Sequence, residues 1–322
     1  MANLIISNVC SANCEFCFAS SFLKKQDDHE KFMCLDTFME YIGLLDRSAI
    51  DEVRLLGGEP TLHPLFADFV RIGQAAGKRI TVFSNGLINE PALEALMDCP
   101  PDRCAVIINM NARIKKSQRE RKAYVLHQLG ERSIAGITVD SPVFPLDPLI
   151  QSILRNRMRK VIRMGLALPV YGTRNHNLHP KQYPAVAKAI VSESYKTAAA
   201  GIRIEPDCGF VRCMFSDEEF KALNRNGFCF GSYCSPIMDC CSNGEILHCF
   251  ALSDLFSVRL EADSETDSIR KELTRQASVW RFGGIYPECE DCFFRRNEEC
   301  CGGCLAAVMN RFLPVKAMSV CL

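Results

Sequence analysis

The sequence predicts an α/β fold built on a parallel sheet, followed by a small cysteine-rich segment. Three observations carry that expectation. Short apolar runs alternate with helical patterns through the first two-thirds of the chain. Each run is rich in Val, Ile, Leu or Phe, as a strand buried on both faces should be. After about residue 206 aromatic residues, glycines and cysteines dominate, and 13 of the 19 cysteines lie between 208 and 321.

Strands are expected at residues 3–8, 52–56, 79–83, 104–110, 134–139 and 161–168, with a short extra strand at 202–205. Helices are expected at 36–47, 64–76, 90–98, 113–129, 147–159 and 183–200. Asp36 and Thr37 open the first helix, and Pro91 opens the third behind Asn89 and Glu90. A proline fits there because the first helical N–H groups have no partner inside the helix. Six βα units in a row argue for a parallel sheet. The pattern suits both an open sheet and a partial barrel. Either way, functional residues belong in the loops after strand C-termini. The expected division is residues 1–205 and 206–322, the second part organised by metal more than by apolar core.

Composition excludes several classes. At 48% hydrophobic and 24% charged residues the chain is ordinary and globular, neither disordered nor fibrous. Its 38 basic and 38 acidic side chains give no field for nucleic acid or an anionic membrane. No apolar run approaches a membrane span. Met1 to Val9 is too short for a secretory signal and lacks a basic start. The expected location is cytoplasmic, where cysteines serve as metal ligands or catalysts more than as disulfides.

Cys10, Cys14 and Cys17 form C-x3-C-x2-C directly after the first strand. Three thiolates can hold three irons of a cubane and leave the fourth open, which marks a catalytic metal. Gly57, Gly58, Glu59 and Pro60 follow the second strand. The glycines allow close backbone approach, and the carboxylate suits a ligand ammonium. Alone, this reads as a turn. Ser84, Asn85 and Gly86 follow the third strand as a polar turn able to bond a ribose. Three successive strand ends thus carry three motifs on one face.

At these residues the sequence resembles the radical S-adenosylmethionine (radical SAM) superfamily, in motif order over residues 1–205. The resemblance implies a partial (β/α)6 TIM-like barrel. It implies that Cys10, Cys14 and Cys17 hold a [4Fe-4S] cluster and that Phe16 packs near the adenine. By the same resemblance, Gly57, Gly58, Glu59 and Pro60 take the methionine amino group, and Ser84 and Asn85 contact the ribose. Gly136 to Val139 is the nearest candidate for the fifth-strand glycine element. The implied chemistry is reductive cleavage of SAM to a 5′-deoxyadenosyl radical, which abstracts hydrogen from substrate. An electron donor such as flavodoxin or ferredoxin is implied with it.

The C-terminal cysteines admit two groupings. Cys289-x2-Cys292 with Cys301-x2-Cys304 reads as a zinc ribbon, but leaves Cys234, Cys240, Cys249, Cys300 and Cys321 unexplained. The series Cys234-x9-Gly244-x4-Cys249, Cys289-x2-Cys292-x7-Cys300-x3-Cys304 and Cys321 is similar to the SPASM extension of some radical SAM enzymes. It departs from that pattern in having seven residues, not five, before Cys300. The resemblance implies two auxiliary [4Fe-4S] clusters, making three in all. The first would use Cys234, Cys240, Cys249 and Cys304. The second would use Cys289, Cys292, Cys300 and Cys321. Cys229, Cys241 and Cys301 are alternatives to their neighbours. Cys99 and Cys104 read as buried small hydrophobes. Cys208 and Cys213 read as structural, with a hydrogen donor or substrate contact as the rival role. The basic run from Arg113 to Lys122 reads as a solvated helix face. His176 and His179 read as surface or capping residues.

SPASM-type enzymes often crosslink, epimerise or oxidise peptides, so the first expectation is modification of a ribosomally made peptide. Cys10 lies so near the start that a leader peptide would need a separate carrier protein or another surface of the chain. The rival is a dehydrogenase or mutase acting on a small metabolite. A non-catalytic iron–sulfur or zinc module is a third reading, against which the SAM motifs stand. Sulfatase-maturing relatives carry Asp after the cysteine matching Cys249; Phe250 stands here, so no formylglycine formation is expected. There is no P-loop or GxGxxG, so no nucleotide site other than SAM is indicated.

Overall fold

The computed structural model describes residues 2–313 except 28, 29, 174, 232 and 233. Cys321 lies outside the described residues. Seven parallel strands follow the expected order: β1 (Asn3–Ser7), β2 (Glu52–Gly57), β3 (Arg79–Ser84), β4 (Cys104–Asn109), β5 (Ser133–Val139), β6 (Val161–Leu166) and β7 (Arg203–Pro206). Every residue of β1 is buried, as befits a central strand. The sheet is open, its outer strands not joined to each other.

Parallel neighbours need crossovers, and helices supply them. A short helix, α1 (Ser20–Lys25), follows the first cysteine loop. Then come α2 (Leu35–Arg47), α3 (Phe66–Ala75), α4 (Glu90–Met97), α5 (Arg119–Leu129), α6 (Asp147–Arg155) and α7 (Tyr183–Ala199). Asn89 caps α4 as expected, its side chain accepting from the Ala92 N–H at 3.0 Å. The cap of α2 is Cys34, whose sulfur accepts from Thr37 N–H at 3.5 Å, so this thiol has a structural task. Phe38 of α2 and Phe69 of α3 stack with centroids 4.0 Å apart, closing the core over β1 and β2.

Two expectations change. Helix α5 begins at Arg119, not at residue 113, and the basic run divides. Arg113, Lys115, Lys116 and Arg119 are exposed, whereas Lys122 is only 7% exposed. Charge spacing alone hid Lys122 because its helical turn brings it to the face shared with Val125 and Leu126.

The cysteine-rich segment also holds more regular structure than its texture indicates. It contains α8 (Asp217–Arg225), β8 (Asp239–Cys240), β9 (Glu245–Leu247), β10 (Ser257–Arg259), α9 (Thr266–Ala277), α10 (Phe293–Arg296) and α11 (Leu305–Arg311). Strand β8 pairs in parallel with the free side of β1, and β9 and β10 add antiparallel beyond it. The sheet order is therefore β10-β9-β8-β1-β2-β3-β4-β5-β6-β7. Ile246, Leu252, Leu273 and Met309 belong to the same apolar core as the first seven strands. Strands of two or three residues carry too little alternation to be read from sequence. Among the described residues, no helix is long and apolar enough to cross a membrane.

Candidate functional site

The site begins where β1 ends. The loop carrying Cys10, Cys14 and Cys17 leaves β1 and is held from two sides. On one side, the Gly58 N–H donates to Ser7 O at 2.7 Å, and the Glu59 N–H donates to Val9 O at 2.7 Å. Both glycines are needed for this approach. A Cβ on Gly57 would lie 2.0 Å from Ser7 O, and one on Gly58 would lie 2.4 Å from Val9 O. Gly57 also has φ +145°, a conformation that L side chains rarely adopt. The glycines thus admit the cysteine loop's own backbone. On the other side, the Arg113 N–H donates to the Cys14 sulfur at 3.3 Å, and Asn13 N–H donates to Arg113 O at 3.3 Å.

Glu59 is fully buried. One carboxylate oxygen accepts from Thr61 Oγ1 at 2.7 Å and from Ser84 Oγ at 2.9 Å, while the other accepts from the Asn85 N–H at 2.7 Å. Burial pushes its pKa up, and the bonds from Asn85, Thr61 and Ser84 oppose that rise. The Asn85 amide reaches back to Ser11 Oγ at 3.2 Å, and its nitrogen lies 3.9 Å from the Cys10 sulfur. The loops after β1, β2 and β3 are therefore one bonded unit. Phe16 is buried within it at 4% exposure, whereas the Cys10 residue is exposed.

Electrostatics groups the first thiols. Burial raises Cys17, and the charges of Cys14 and Cys10 add to it. Burial raises Cys10, with Glu59 and Cys14 adding to it against a bond from the Ala12 N–H. Thiolates that repel one another this way are stabilised by a shared cation. Lys122, missed by the sequence reading, lies beside this unit. Its Nζ donates to Asn109 O at 2.7 Å, and its Cε lies 3.0 Å from where a Gly86 Cβ would stand. Burial lowers its pKa to about 8, with the charges of Cys14 and Glu59 opposing that fall.

The C-terminal thiols fall into two groups. Cys249 is raised well above its ordinary value by burial, then by Cys234, Cys304, Asp239 and Cys208. Cys208 is raised by burial, then by Asp207, Cys304 and Cys234. Burial and Cys234 push Cys304 up to about 12. The first group is thus Cys208, Cys234, Cys249 and Cys304, and Cys301 also acts on Cys234 and Cys304. In the second, Cys289 is raised by burial, then by Cys292 and Cys300, against a bond from Tyr286. Burial, then Cys300, Cys289 and Cys292, push Cys213 up to about 12. Cys304 joins the first group and Cys289 with Cys292 the second, so the two halves of a zinc ribbon are divided between them. Among the described residues, no three His, Cys, Asp or Glu side chains converge closely enough to hold a single metal ion. A cubane spreads its thiolates over separate corners and needs a wider arrangement.

Cys240 stands apart from both groups. It is fully buried in β8, paired with Leu4, and its thiol donates to Met238 O at 3.6 Å. Cys241, one residue on, points to the opposite face and packs with Ile5, Phe22 and Leu247. Cys99 and Cys104 are buried as expected, the Cys99 thiol donating to Ala95 O at 3.4 Å. His179 caps the turn that precedes α7, its Nδ1 accepting from the Lys181 N–H at 3.1 Å. Phe250 is buried between Phe18 and Phe22, ring to ring at 5.8 and 5.4 Å.

Comparison with known proteins finds a family match for the N-terminal residues and likenesses of the fold. Residues 4–125 match the model of the radical SAM superfamily. A GTP 3′,8-cyclase of Synechocystis sp. is 32% identical over 94 residues, 28% of each chain. An S-adenosylmethionine-dependent nucleotide dehydratase of a Thermoplasmatales archaeon is 29% identical over 90 residues, 28% of this chain and 30% of that one. These matches span less than a third of the curated relatives' length. Among solved structures, anSMEcpe with bound AdoMet and a Kp18Cys peptide aligns with TM-score 0.65 at 18% identity, covering 94% of this chain and 88% of that one. Streptococcus suis SuiB bound to the precursor peptide SuiA aligns with TM-score 0.63 at 13% identity, covering 96% and 75%. The three strand-end motifs joined above all lie inside the residues that match the radical SAM superfamily.

Proposed function

We propose that this chain is a radical SAM enzyme that modifies a ribosomally made peptide by crosslinking, epimerisation or oxidation. The observation that carries the catalytic part is the bonded unit of Cys10–Cys17, Gly57–Pro60 and Ser84–Asn85. It presents three thiols and polar groups together at the C-terminal ends of β1, β2 and β3. The donor set fits a [4Fe-4S] cluster with one iron left to SAM. When bound, that pair supplies reductive cleavage of SAM and hydrogen abstraction from substrate. The protein residues hold and orient. Glu59 fixes the second and third loops relative to each other. Asn85 and Arg113 secure the cysteine loop from opposite sides. Lys122 adds a buried cation beside this unit, which would favour an anionic group of a bound cofactor.

The two C-terminal groups support two auxiliary clusters, making three cubanes per chain. The first would take Cys234, Cys249 and Cys304, with Cys208 standing where Cys240 was expected. The peptide reading is supported by the two solved structures above, both bound to peptides, whose folds cover nearly all of this chain. A second reading, a small-molecule substrate, is supported by the cyclase and dehydratase relatives of the N-terminal residues.

Anaerobic reconstitution tests the core claim. The chain should take up about twelve irons, three cubanes of four. Reduced protein should convert SAM to 5′-deoxyadenosine, and a Cys14→Ala protein should not. Four irons plus zinc would remove the auxiliary clusters. Absence of 5′-deoxyadenosine from reduced wild type would remove the enzyme assignment, and full SAM cleavage by Cys14→Ala would remove Cys14 from the cluster.

A further inference from the structure

We propose that Cys213 is the fourth protein ligand of the second auxiliary cluster, beside Cys289, Cys292 and Cys300. The inference rests on the reading above that the C-terminal thiols bind iron–sulfur clusters. It departs from the SPASM-like pattern, which gives that place to Cys321.

The geometry points to Cys213 through a cavity. An open cavity of about 340 Å³ is lined by Cys213, Cys289 and Cys292, with Lys181, Tyr286 and Glu288 among its other lining residues. The three cysteines come from two distant stretches of chain. Cys213 sits in the single turn Arg212–Met214 that follows β7. Cys289 sits in the turn Pro287–Glu290, with Cys292 just beyond it. Cys300 does not line the cavity, but its charge acts on both Cys213 and Cys289, and its sulfur accepts from the Gly302 N–H at 3.4 Å. A cubane closed by protein needs four thiolates, and these are four.

The frame around them is fixed. Tyr286 donates from its hydroxyl to Pro180 O at 2.8 Å, which ties the cysteine turn to the start of α7. Arg295 donates to Cys289 O at 2.9 Å and to Arg281 O at 2.8 Å. Arg311 donates to Gly284 O at 2.7 Å and Tyr286 O at 2.8 Å. A Cβ on Gly284 would lie 2.2 Å from the Cys289 Cβ, so only glycine lets Cys289 stand where it does. Near Cys213, the buried Arg212 donates to Phe215 O at 2.9 Å and pairs with Asp217. Its guanidinium lies 4.1 Å from the Phe220 ring and 4.6 Å from that of Phe294, just past Cys292. The two stretches are therefore clamped before any ligand enters. On ligation the Cys213 thiol releases its proton to solvent as the sulfur–iron bond forms. No electron is transferred.

The test is iron and sulfide analysis of the full chain after anaerobic reconstitution, with low-temperature EPR of the reduced clusters. Wild type should hold about twelve irons, and both Cys213→Ala and Cys289→Ala should fall to about eight with loss of the same EPR component. Cys321→Ala should keep the full complement. Retention of all iron by Cys213→Ala, with loss in Cys321→Ala, overturns the assignment. Cys213→Ser guards against a folding defect. A serine that replaces a ligand shifts the cluster's g-values and reduction potential, and an unshifted spectrum refutes ligation. If wild type itself holds only about four irons and Cys289→Ala changes nothing, the auxiliary-cluster reading fails rather than the choice of ligand.

Discussion

The Glu59 carboxylate accepts the Ser84 hydroxyl at 2.9 Å, and this bond joins the C-terminal ends of β2 and β3 inside the core. The same carboxylate takes the Asn85 N–H and the Thr61 hydroxyl. Glu59→Gln puts a donor where an acceptor is required and leaves at least one buried N–H or O–H unpaired. The expected cost is about 1–3 kcal/mol of stability, with weaker SAM binding. Anaerobic denaturant titration and equilibrium dialysis of SAM measure the two. Unchanged values for both would show that Glu59 is dispensable.

Gly58→Ala should act on the first cluster alone. The added methyl meets the Val9 carbonyl, which is backbone and cannot swing aside, and it touches the Cys10 side chain at 3.0 Å. Displacement of the cysteine loop by a fraction of an ångström to one ångström should cut 5′-deoxyadenosine formation about a hundredfold. The auxiliary clusters should remain, and iron analysis distinguishes this from global unfolding.

Lys122 gives a pH-dependent signature. A lysine in the unfolded chain titrates near 10.5, whereas the buried one titrates near 8. Between those values the unfolded state binds more protons, so this group makes stability rise with pH from 8 to 10.5. In Lys122→Met that component is absent. The stability of the variant relative to wild type should therefore fall by on the order of 3 kcal/mol across that window. Taking the difference cancels the cysteines common to both proteins. A flat difference would mean the ammonium is not buried in solution.

Cys240→Ala separates family pattern from geometry. Its side chain is buried in the core, and its backbone pairs with Leu4, apart from the two C-terminal thiol groups. The variant should lose about 1–2 kcal/mol from the small cavity and keep all of its iron. Cys249→Ala should lose about four irons. Equal iron loss in both would return Cys240 to the ligand set.

Some of this was legible in the sequence for physical reasons. The first six strands are long enough to show apolar runs, and the loops after the first three carry residues that have few other uses together. The local role of each loop residue was less legible. Glycine predicts a close approach without naming what approaches, and here it is the cysteine loop's backbone. A carboxylate beside two glycines looks ready for a ligand, yet both oxygens of Glu59 already hold protein donors. Spacing grouped Cys240 with Cys234, but β8 turns its side chain into the core. Cys213 is 76 residues from Cys289, and only the fold sets them at one cavity. Lys122 was hidden because a charge run says nothing of which turn faces inward.

The pairing of β8 with β1 has a consequence for how the protein is made. Leu4 is bonded between Leu55 on one side and Cys240 on the other. Until the last third of the chain has been synthesised, β1 is an edge with a bare row of amides and carbonyls, prone to wrong partners. The loop destined for the first iron site hangs from that edge. Its seating is thus a late event in biogenesis, governed by a contact more than 230 residues apart in sequence (Asn3 with Asp239). A chain stopped near residue 206 would keep every SAM motif, yet it should aggregate rather than work as a free-standing half.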